Sequence, residues 1–215
     1  MNVDAKICGI NDATAMQTAV AAGARYVGLV FYPPSPRALT PDAAATLAAL
    51  IPNEVTKVGL FVDPDDALID AVLSKVALDM LQLHGSESPA RCAELRQRTG
   101  LPVMKAIKVA DQDDIKAARD YLGSVDWLMF DAKAPKDMPG ALPGGNALSF
   151  DWTLLSDQTW PVPWMLAGGI NPDNVVAAVR ASGAQIVDVS SGVESEPGRK
   201  DPARIEAFLA AVKNL

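Results

Sequence analysis

Cys8 and Asp131 are the two residues whose side chains best fit proton-transfer chemistry. Each lies at or near the end of a short apolar run, over residues 5–10 and 125–131. A cysteine thiolate can act as a base or a nucleophile, and a protonated aspartate can act as a general acid. Cys8 and Asp131 are therefore the candidate catalytic residues, with the role of Cys8 open between base and nucleophile.

Lys6 lies two residues before Cys8, and residues two apart in a strand share a face. We expect this cation to favour the thiolate form of Cys8. The alternative is that Cys8 is a small buried apolar residue, as most free cysteines are. Cys92, in an amphipathic helical stretch, is predicted to be structural.

Asp131 stands directly before the long irregular segment 132–149, which is rich in Gly, Pro and small residues. A loop of that length is typical of a lid or a binding loop, or else of a disordered segment. A carboxyl group covered by a closing loop keeps its proton, which suits a general acid. The alternative is that Asp131 only hydrogen-bonds the loop that follows it.

Two motifs of small residues predict a phosphate site. They hold Gly168 and Gly169 in one case, and Ser190 and Ser191 in the other. Glycines let backbone N–H groups approach an anion closely, and serine hydroxyls add uncharged donors. The alternative is that the glycines form a tight turn and the serines cap a helix.

Arg37 and His84 are candidate substrate-binding residues. Arg37 follows three prolines, and a stiff loop can place a planar guanidinium against a carboxylate or phosphate. The alternative is a solvated arginine on the surface. His84 is the one histidine of the chain, which excludes a metal site built on a histidine pair. Its role stays open between catalytic acid, ligand contact and strand-end donor, and no metal site is predicted.

These residues must be positioned by alternating strands and helices. Eight apolar runs predict strands over 5–10, 26–31, 57–62, 79–84, 103–109, 125–131, 164–167 and 185–190. Helical stretches follow them at 13–22, 41–50, 65–76, 89–98, 110–121, 152–155, 172–181 and 202–214. Thr40, Asn171 and Asp201 each precede a proline and are predicted to cap helices.

An open parallel sheet would also explain the alternation, but the strand ends favour a closed barrel. The candidate residues follow strand after strand, and in a closed barrel these ends form one ring. The glycine and serine motifs follow the seventh and eighth strands, where such barrels often bind phosphate. We therefore expect an α/β protein, a single-domain (β/α)8 TIM barrel over residues 1–215.

The composition narrows the possible partners. The net charge of −7 disfavours nucleic acid and anionic membranes, because both require a basic surface. The sequence holds no stretch long enough to span a membrane and no secretory pattern at its start, so a cytoplasmic enzyme is expected. Its two cysteines are expected to be free thiols.

Nine short motifs lie along the chain: KICG at 6–9, GLVF at 28–31, SPR at 35–37, LQLHG at 81–85, FD at 130–131, PGG at 143–145, FDW at 150–152, LAGGI at 166–170 and DVSSGVE at 188–194. Together they resemble the phosphoribosylanthranilate isomerase family over the whole chain. The resemblance implies an Amadori rearrangement of N-(5-phosphoribosyl)anthranilate in tryptophan biosynthesis, without metal or organic cofactor.

The resemblance also implies roles for single residues. Cys8 would be the general base and Asp131 the general acid, Arg37 would bind the anthranilate carboxylate, and the glycine and serine motifs would bind the phosphate. The substrate would be a small anionic molecule, with the protein a monomer or a homodimer. The chain departs from the family at Asn146 and Ala147, where Thr or Ser and then Gly are usual.

Asp188 shares a face with Ser190 on the eighth strand, which neighbours the first strand in a closed barrel. We expect it at the substrate site and paired with Lys6.

Two alternatives to the isomerase remain. One is a related phosphate-binding barrel enzyme, such as indole-glycerol-phosphate synthase or a histidine-pathway isomerase, and the other is a non-catalytic sugar-phosphate binder.

Overall fold

The computed structural model describes residues 3–135 and 142–215, and within these ranges eight parallel strands close into a barrel. The strands are β1 Asp4–Cys8, β2 Tyr26–Val30, β3 Thr56–Phe61, β4 Met80–Leu83, β5 Val103–Val109, β6 Trp127–Ala132, β7 Trp164–Leu166 and β8 Ile186–Val189. Each pairs with its neighbour in sequence, and β8 pairs with β1. The predicted (β/α)8 barrel is confirmed.

Helices connect most of the strands. They are α1 Ala13–Ala21, α2 Pro41–Ala48, α3 Asp66–Leu73, α4 Pro89–Thr99, α5 Gln112–Ala117, α6 Val175–Ser182 and α7 Pro202–Lys213. The helix predicted at 110–121 divides into α5 and the 3₁₀ helix Ala118–Tyr121, and the stretch at 152–155 is the 3₁₀ helix Trp152–Leu155. A short hairpin, β9 Glu194–Glu196 with β10 Arg199–Lys200, was not predicted.

Two of the three predicted helix caps are confirmed. Thr40 Oγ1 accepts a hydrogen bond from Ala43 N at 3.2 Å, and Asp201 Oδ1 accepts one from Ala203 N at 2.9 Å. The third was wrong, because α6 begins at Val175 and not at Pro172. Asn171 instead accepts bonds from the backbone of the turn that precedes the helix.

Alternation along the strands separates two apolar regions. Side chains that face outward, such as Leu81 and Leu83 of β4, pack in the large core beneath the helices. Side chains that face inward form a smaller cluster in the barrel, with Tyr26, Val58, Met80, Met104, Ala106, Met129, Met165 and Ala167. No helix in the described ranges has the length and apolar character to cross a membrane.

Candidate active site

A cleft at the carboxyl end of the barrel brings all the candidate residues together. Its lining includes Cys8, Arg37, His84, Asp131, Gly168, Gly169, Asp188, Ser190 and Ser191. Parallel strands of a barrel end on one face, so positions far apart in sequence meet there. The structure thus places these nine residues around one space.

Lys6 and Asp188 form a buried ion pair beneath the cleft. Lys6 Nζ donates to Asp188 Oδ1 at 2.8 Å, and the two residues are in register across β1 and β8. Burial disfavours the charge on Lys6, yet Asp188 and then Cys8 outweigh it and raise the Lys6 pKa above its ordinary value. The pairing expected from strand parity is confirmed.

Cys8 lies on the same inward face, and Lys6 favours its thiolate as expected, but burial opposes that effect. Burial raises the pKa of the Cys8 thiol, Lys6 lowers it, and the nearby charge of Asp188 raises it again. The net result is a pKa above the ordinary value because burial dominates. Cys8 and Cys92 are both free and buried, as predicted for unpaired thiols.

Asp131 lies within a chain of hydrogen bonds in the cleft. Its Oδ2 is 3.0 Å from His84 Nε2, and its Oδ1 accepts from Ala132 N at 2.9 Å. On the other side of the imidazole, His84 Nδ1 is 2.9 Å from Gln82 Nε2. His84 is therefore a neighbour of the candidate acid and not an isolated surface group.

Arg37 is buried, which excludes the solvated surface position that a loop arginine often takes. Its Nε and Nη2 donate to Glu194 Oε1 and Oε2 at 2.7 and 2.8 Å, and Nη2 lies 3.4 Å from the carbonyl oxygen of Gly145. This two-bond contact fixes the plane of the guanidinium. Among the described residues Nη1 has no hydrogen-bond partner, so it can bind a ligand.

Glu194 also contacts a second buried cation. Lys200 Nζ donates to Glu194 Oε1 at 2.6 Å and to the carbonyl oxygen of Ser190 at 3.0 Å. Burial would raise the pKa of Glu194, but Arg37 and Lys200 together hold it below its ordinary value. Burial lowers the pKa of Lys200, and Glu194 only partly offsets this. One carboxylate thus connects the candidate carboxylate-binding and phosphate-binding regions.

The glycine motif adopts a backbone conformation that favours glycine. Gly168 and Gly169 have φ values of +87° and +65°, a region that other residues adopt with strain.

Ser190 precedes the 3₁₀ helix Ser191–Val193 but makes no side-chain cap bond to it. The alternative that Ser190 caps a helix through its side chain is therefore wrong. Its Oγ accepts from Lys200 Nζ at 3.3 Å, and its O–H can still donate to a ligand.

The loop after β6 is described only in part. Residues 136–141, within the predicted lid over 132–149, lie outside the described residues. In the following segment, the Asn146 side chain accepts from Leu142 N at 3.0 Å and donates to Leu142 O at 2.7 Å. Ala147 has a φ of +57°, the conformation for which the family's usual glycine is suited.

Three residues of the site were not predicted as functional. Gln82 shares a strand face with His84, and that spacing was a usable signal. Glu194 follows the serine motif, but its partner Arg37 is 157 residues away and no local pattern connects them. Lys200 belongs to the unpredicted hairpin, so the sequence held no signal for it.

Known proteins match the chain over nearly its whole length. The family model described as N-(5'phosphoribosyl)anthranilate (PRA) isomerase matches residues 5–211. A protein of Paramagnetospirillum magneticum named N-(5'-phosphoribosyl)anthranilate isomerase is 59% identical over 213 residues, 99% of this chain and 98% of that protein. The protein of the same name from Rhodospirillum centenum is 57% identical over 100% of both chains.

Solved structures agree with these matches. The crystal structure of phosphoribosyl anthranilate isomerase from Thermotoga maritima has a TM-score of 0.86 and 36% identity, over 99% of this chain and 100% of that one. A structure of such an isomerase in complex with reduced 1-(o-carboxyphenylamino)-1-deoxyribulose 5-phosphate has a TM-score of 0.84 and 34% identity, with the same coverage.

Proposed function

The chain belongs to the N-(5'-phosphoribosyl)anthranilate isomerase family, and on that premise we propose that Cys8 and Asp131 are the base and the acid of its reaction. The protein is a phosphoribosylanthranilate isomerase of tryptophan biosynthesis. The observation that supports the two roles is the single cleft that Cys8 and Asp131 line together with Arg37 and the glycine and serine motifs.

The proposed reaction begins with proton transfer from Asp131 to the furanose ring oxygen. The bond between that oxygen and C1′ breaks, and the nitrogen lone pair forms a C=N bond, which gives an imine cation. Cys8, as thiolate, then removes the proton from C2′, a carbon acidified by the adjacent cation. The resulting enolamine tautomerises to the ketone when a proton returns to C1′, so substrate and product are isomers.

Two further groups would hold the ends of the substrate. We place the anthranilate carboxylate against the Nη1 side of Arg37, because the other edge of the guanidinium is occupied by Glu194. We place the phosphate at Gly168, Gly169, Ser190 and Ser191, where backbone N–H groups and hydroxyls are available. His84 and Asp188 complete the proposed substrate site.

The test is a fluorescence assay of freshly prepared phosphoribosylanthranilate with Cys8→Ser and Asp131→Asn. We expect turnover to fall by about 10² or more in each variant, the contribution typical of a general acid or base. Binding of ribose 5-phosphate should persist in both. Cys92→Ser and Asp120→Asn, which change the same residue types outside the cleft, serve as controls. Near-normal turnover of Cys8→Ser or Asp131→Asn would show that the proposed catalytic role of the substituted residue is wrong.

The proposal also covers the substrate class, the cellular location and the oligomeric state of the enzyme. We propose a small anionic substrate and a cytoplasmic enzyme, which two free, buried thiols support. A Thermotoga maritima relative is described as dimeric, with monomers generated from it. Sedimentation of this chain would decide between a monomer and a homodimer.

A further inference from the structure

Gln82 is a polar side chain in an otherwise apolar part of the barrel. It is fully buried on β4, and its Nε2 lies 3.4 Å from the sulfur of Met129 in the methionine-rich inner cluster. Its Oε1 has no hydrogen-bond partner among the described residues. A buried amide with an unpaired oxygen costs stability, so its presence at this position requires an explanation.

The surroundings of Gln82 determine which way its amide points. With Nε2 toward His84, one N–H faces His84 Nδ1 at 2.9 Å and the other faces the sulfur of Met129. The reversed amide would place its oxygen against that sulfur, which has no hydrogen to donate, and would lose the N–H contact to Met129. Gln82 therefore donates to His84 Nδ1, and this nitrogen holds no proton.

The other ring nitrogen of His84 then carries the hydrogen. His84 Nε2 is 3.0 Å from Asp131 Oδ2, and in this tautomer it donates to that oxygen. Gln82, His84 and Asp131 form a directed chain in which every hydrogen bond points toward the carboxylate. The chain joins β4 to β6 and ends at the group proposed as the acid.

We propose that Gln82 is a positioning residue that keeps His84 neutral and so directs the acid proton to Asp131. An imidazole ordinarily binds a proton more tightly than a carboxyl group, with pKa values of about 6.5 and 3.9. If Nδ1 were free, the next proton taken up would go to His84 and fix Asp131 as the carboxylate of an ion pair. Since the Gln82 amide blocks Nδ1, that proton goes to Asp131. This inference rests on the proposed acid role of Asp131.

Other charges near His84 are already paired. Lys105 Nζ donates to the carbonyl oxygen of Gly85 at 2.8 Å and pairs with Glu87 at 3.0 Å. Asp63 accepts from Ser86 N at 2.7 Å. The charged or titratable groups around His84, from neighbouring elements and across the cleft, are Cys8, Arg37, Asp63, Glu87, Lys105, Asp131 and Asp188. Among the described residues, only Asp131 and Gln82 hydrogen-bond its ring.

Two substitutions at Gln82 test the inference. Gln82→Glu replaces the donor with an acceptor of the same shape, which accepts a hydrogen bond from a protonated Nδ1 and stabilises the imidazolium. Gln82→Met removes the donor and matches the methionines around it, so the packing of the inner cluster is kept. Gln97→Glu on the exposed surface of α4 is the control for the added charge.

The single histidine makes the first readout simple, because ¹⁵N NMR of the ligand-free protein shows one pair of ring nitrogens. In the wild type at neutral pH we expect the neutral form with its proton on Nε2. Gln82→Glu should show a proton on both ring nitrogens, and Gln82→Met should no longer fix Nδ1 as the unprotonated nitrogen. A wild-type His84 that carries a proton on Nδ1 at neutral pH would overturn the inference.

The second readout is the pH profile of kcat. We expect kcat of Gln82→Glu to fall about tenfold or more, with a smaller effect on KM, because Asp131 loses its acid form. Gln82→Met should give a pH profile of kcat that differs from that of the wild type. Loss of activity in Asp131→Asn with an unchanged Gln82→Glu would overturn this inference alone. Full activity of Asp131→Asn would overturn the proposed acid role as well.

Discussion

Lys6 Nζ lies 2.8 Å from Asp188 Oδ1, across the seam where β1 and β8 close the barrel. Lys6 is fully buried, so its charge has little access to water. Asp188 thereby links the strand that carries Cys8 to the strand that ends at the serine motif. Its charge neutralises Lys6 and at the same time opposes the Cys8 thiolate.

Asp188→Asn should therefore destabilise the fold and lower the Cys8 pKa. We expect a loss of about 3 kcal/mol in the free energy of unfolding, because the charge of Lys6 stays buried without its partner. The Cys8 pKa should fall because the negative charge beside it is gone. Urea unfolding and the pH dependence of thiol alkylation measure the two effects. Asp113→Asn, in an exposed pair with Lys116, should leave both unchanged.

The raised Cys8 pKa has a definite consequence for pH dependence. A base whose pKa lies above the ordinary cysteine value is mostly protonated at neutral pH. We therefore expect kcat/KM to rise as the pH increases from neutral toward the Cys8 pKa. The folded state also holds this proton more tightly than the unfolded state. The stability that results is present below the unfolded pKa and is lost as the pH rises through the folded one.

Alkylation of Cys8 by iodoacetamide measures the shift directly. The Cys92→Ser variant isolates the signal, although burial raises the Cys92 pKa to about 11 and already slows its reaction. We expect the Cys8 reaction to begin at a higher pH than that of cysteine in the unfolded chain. Rapid alkylation in the folded protein at neutral pH would show instead that Lys6 outweighs burial.

Arg37→Lys should weaken substrate binding although the charge is kept. The lysine ammonium cannot reproduce the two bonds to Glu194 while it also reaches a ligand. We expect KM to rise about tenfold or more with a smaller change in kcat, since the proposed contact between Arg37 and the substrate carboxylate is made in both ground and transition states. Steady-state kinetics measure this, with Arg199→Lys on the exposed hairpin as control. An equal fall of kcat and kcat/KM would instead indicate a contact made only in the transition state.

Much of this arrangement could be predicted from the sequence because it follows from strand periodicity. Alternation placed Lys6 and Cys8 on one face, and barrel closure brought Asp188 to Lys6. The positions of the candidate residues at the strand ends followed in the same way. These relations depend on backbone geometry, which repeats regularly along the chain.

The electrostatic balance of the site could not be predicted. The sequence showed that Lys6 lowers the Cys8 pKa, but the larger effect of burial depends on packing around the whole barrel. The contact between Arg37 and Glu194 joins distant loops with no shared pattern. Similarly, α6 begins at Val175 after a turn in which the Asn174 side chain donates to the carbonyl oxygen of Gly169 and accepts from Asn171 N, and the proline signal did not predict this turn.

Gly168 and Gly123 allow a matched test of the glycine motif, since their φ values are +87° and +89°. Alanine at either position costs about 1–2 kcal/mol, the strain of the left-handed conformation. A Cβ on Gly123 would meet nothing within 4 Å, whereas one on Gly168 would lie 2.7 Å from Ala132 N and 3.3 Å from Asp131 Oδ1.

Gly168→Ala should therefore displace the end of β6 that carries Asp131 and crowd the proposed phosphate site. We expect kcat to fall and inhibition by inorganic phosphate to weaken, while Gly123→Ala loses stability alone. Thermal unfolding with steady-state kinetics separates these effects. If Gly168→Ala and Gly123→Ala both kept wild-type kinetics at equal stability, the reaction would not depend on the close approach of the backbone at Gly168.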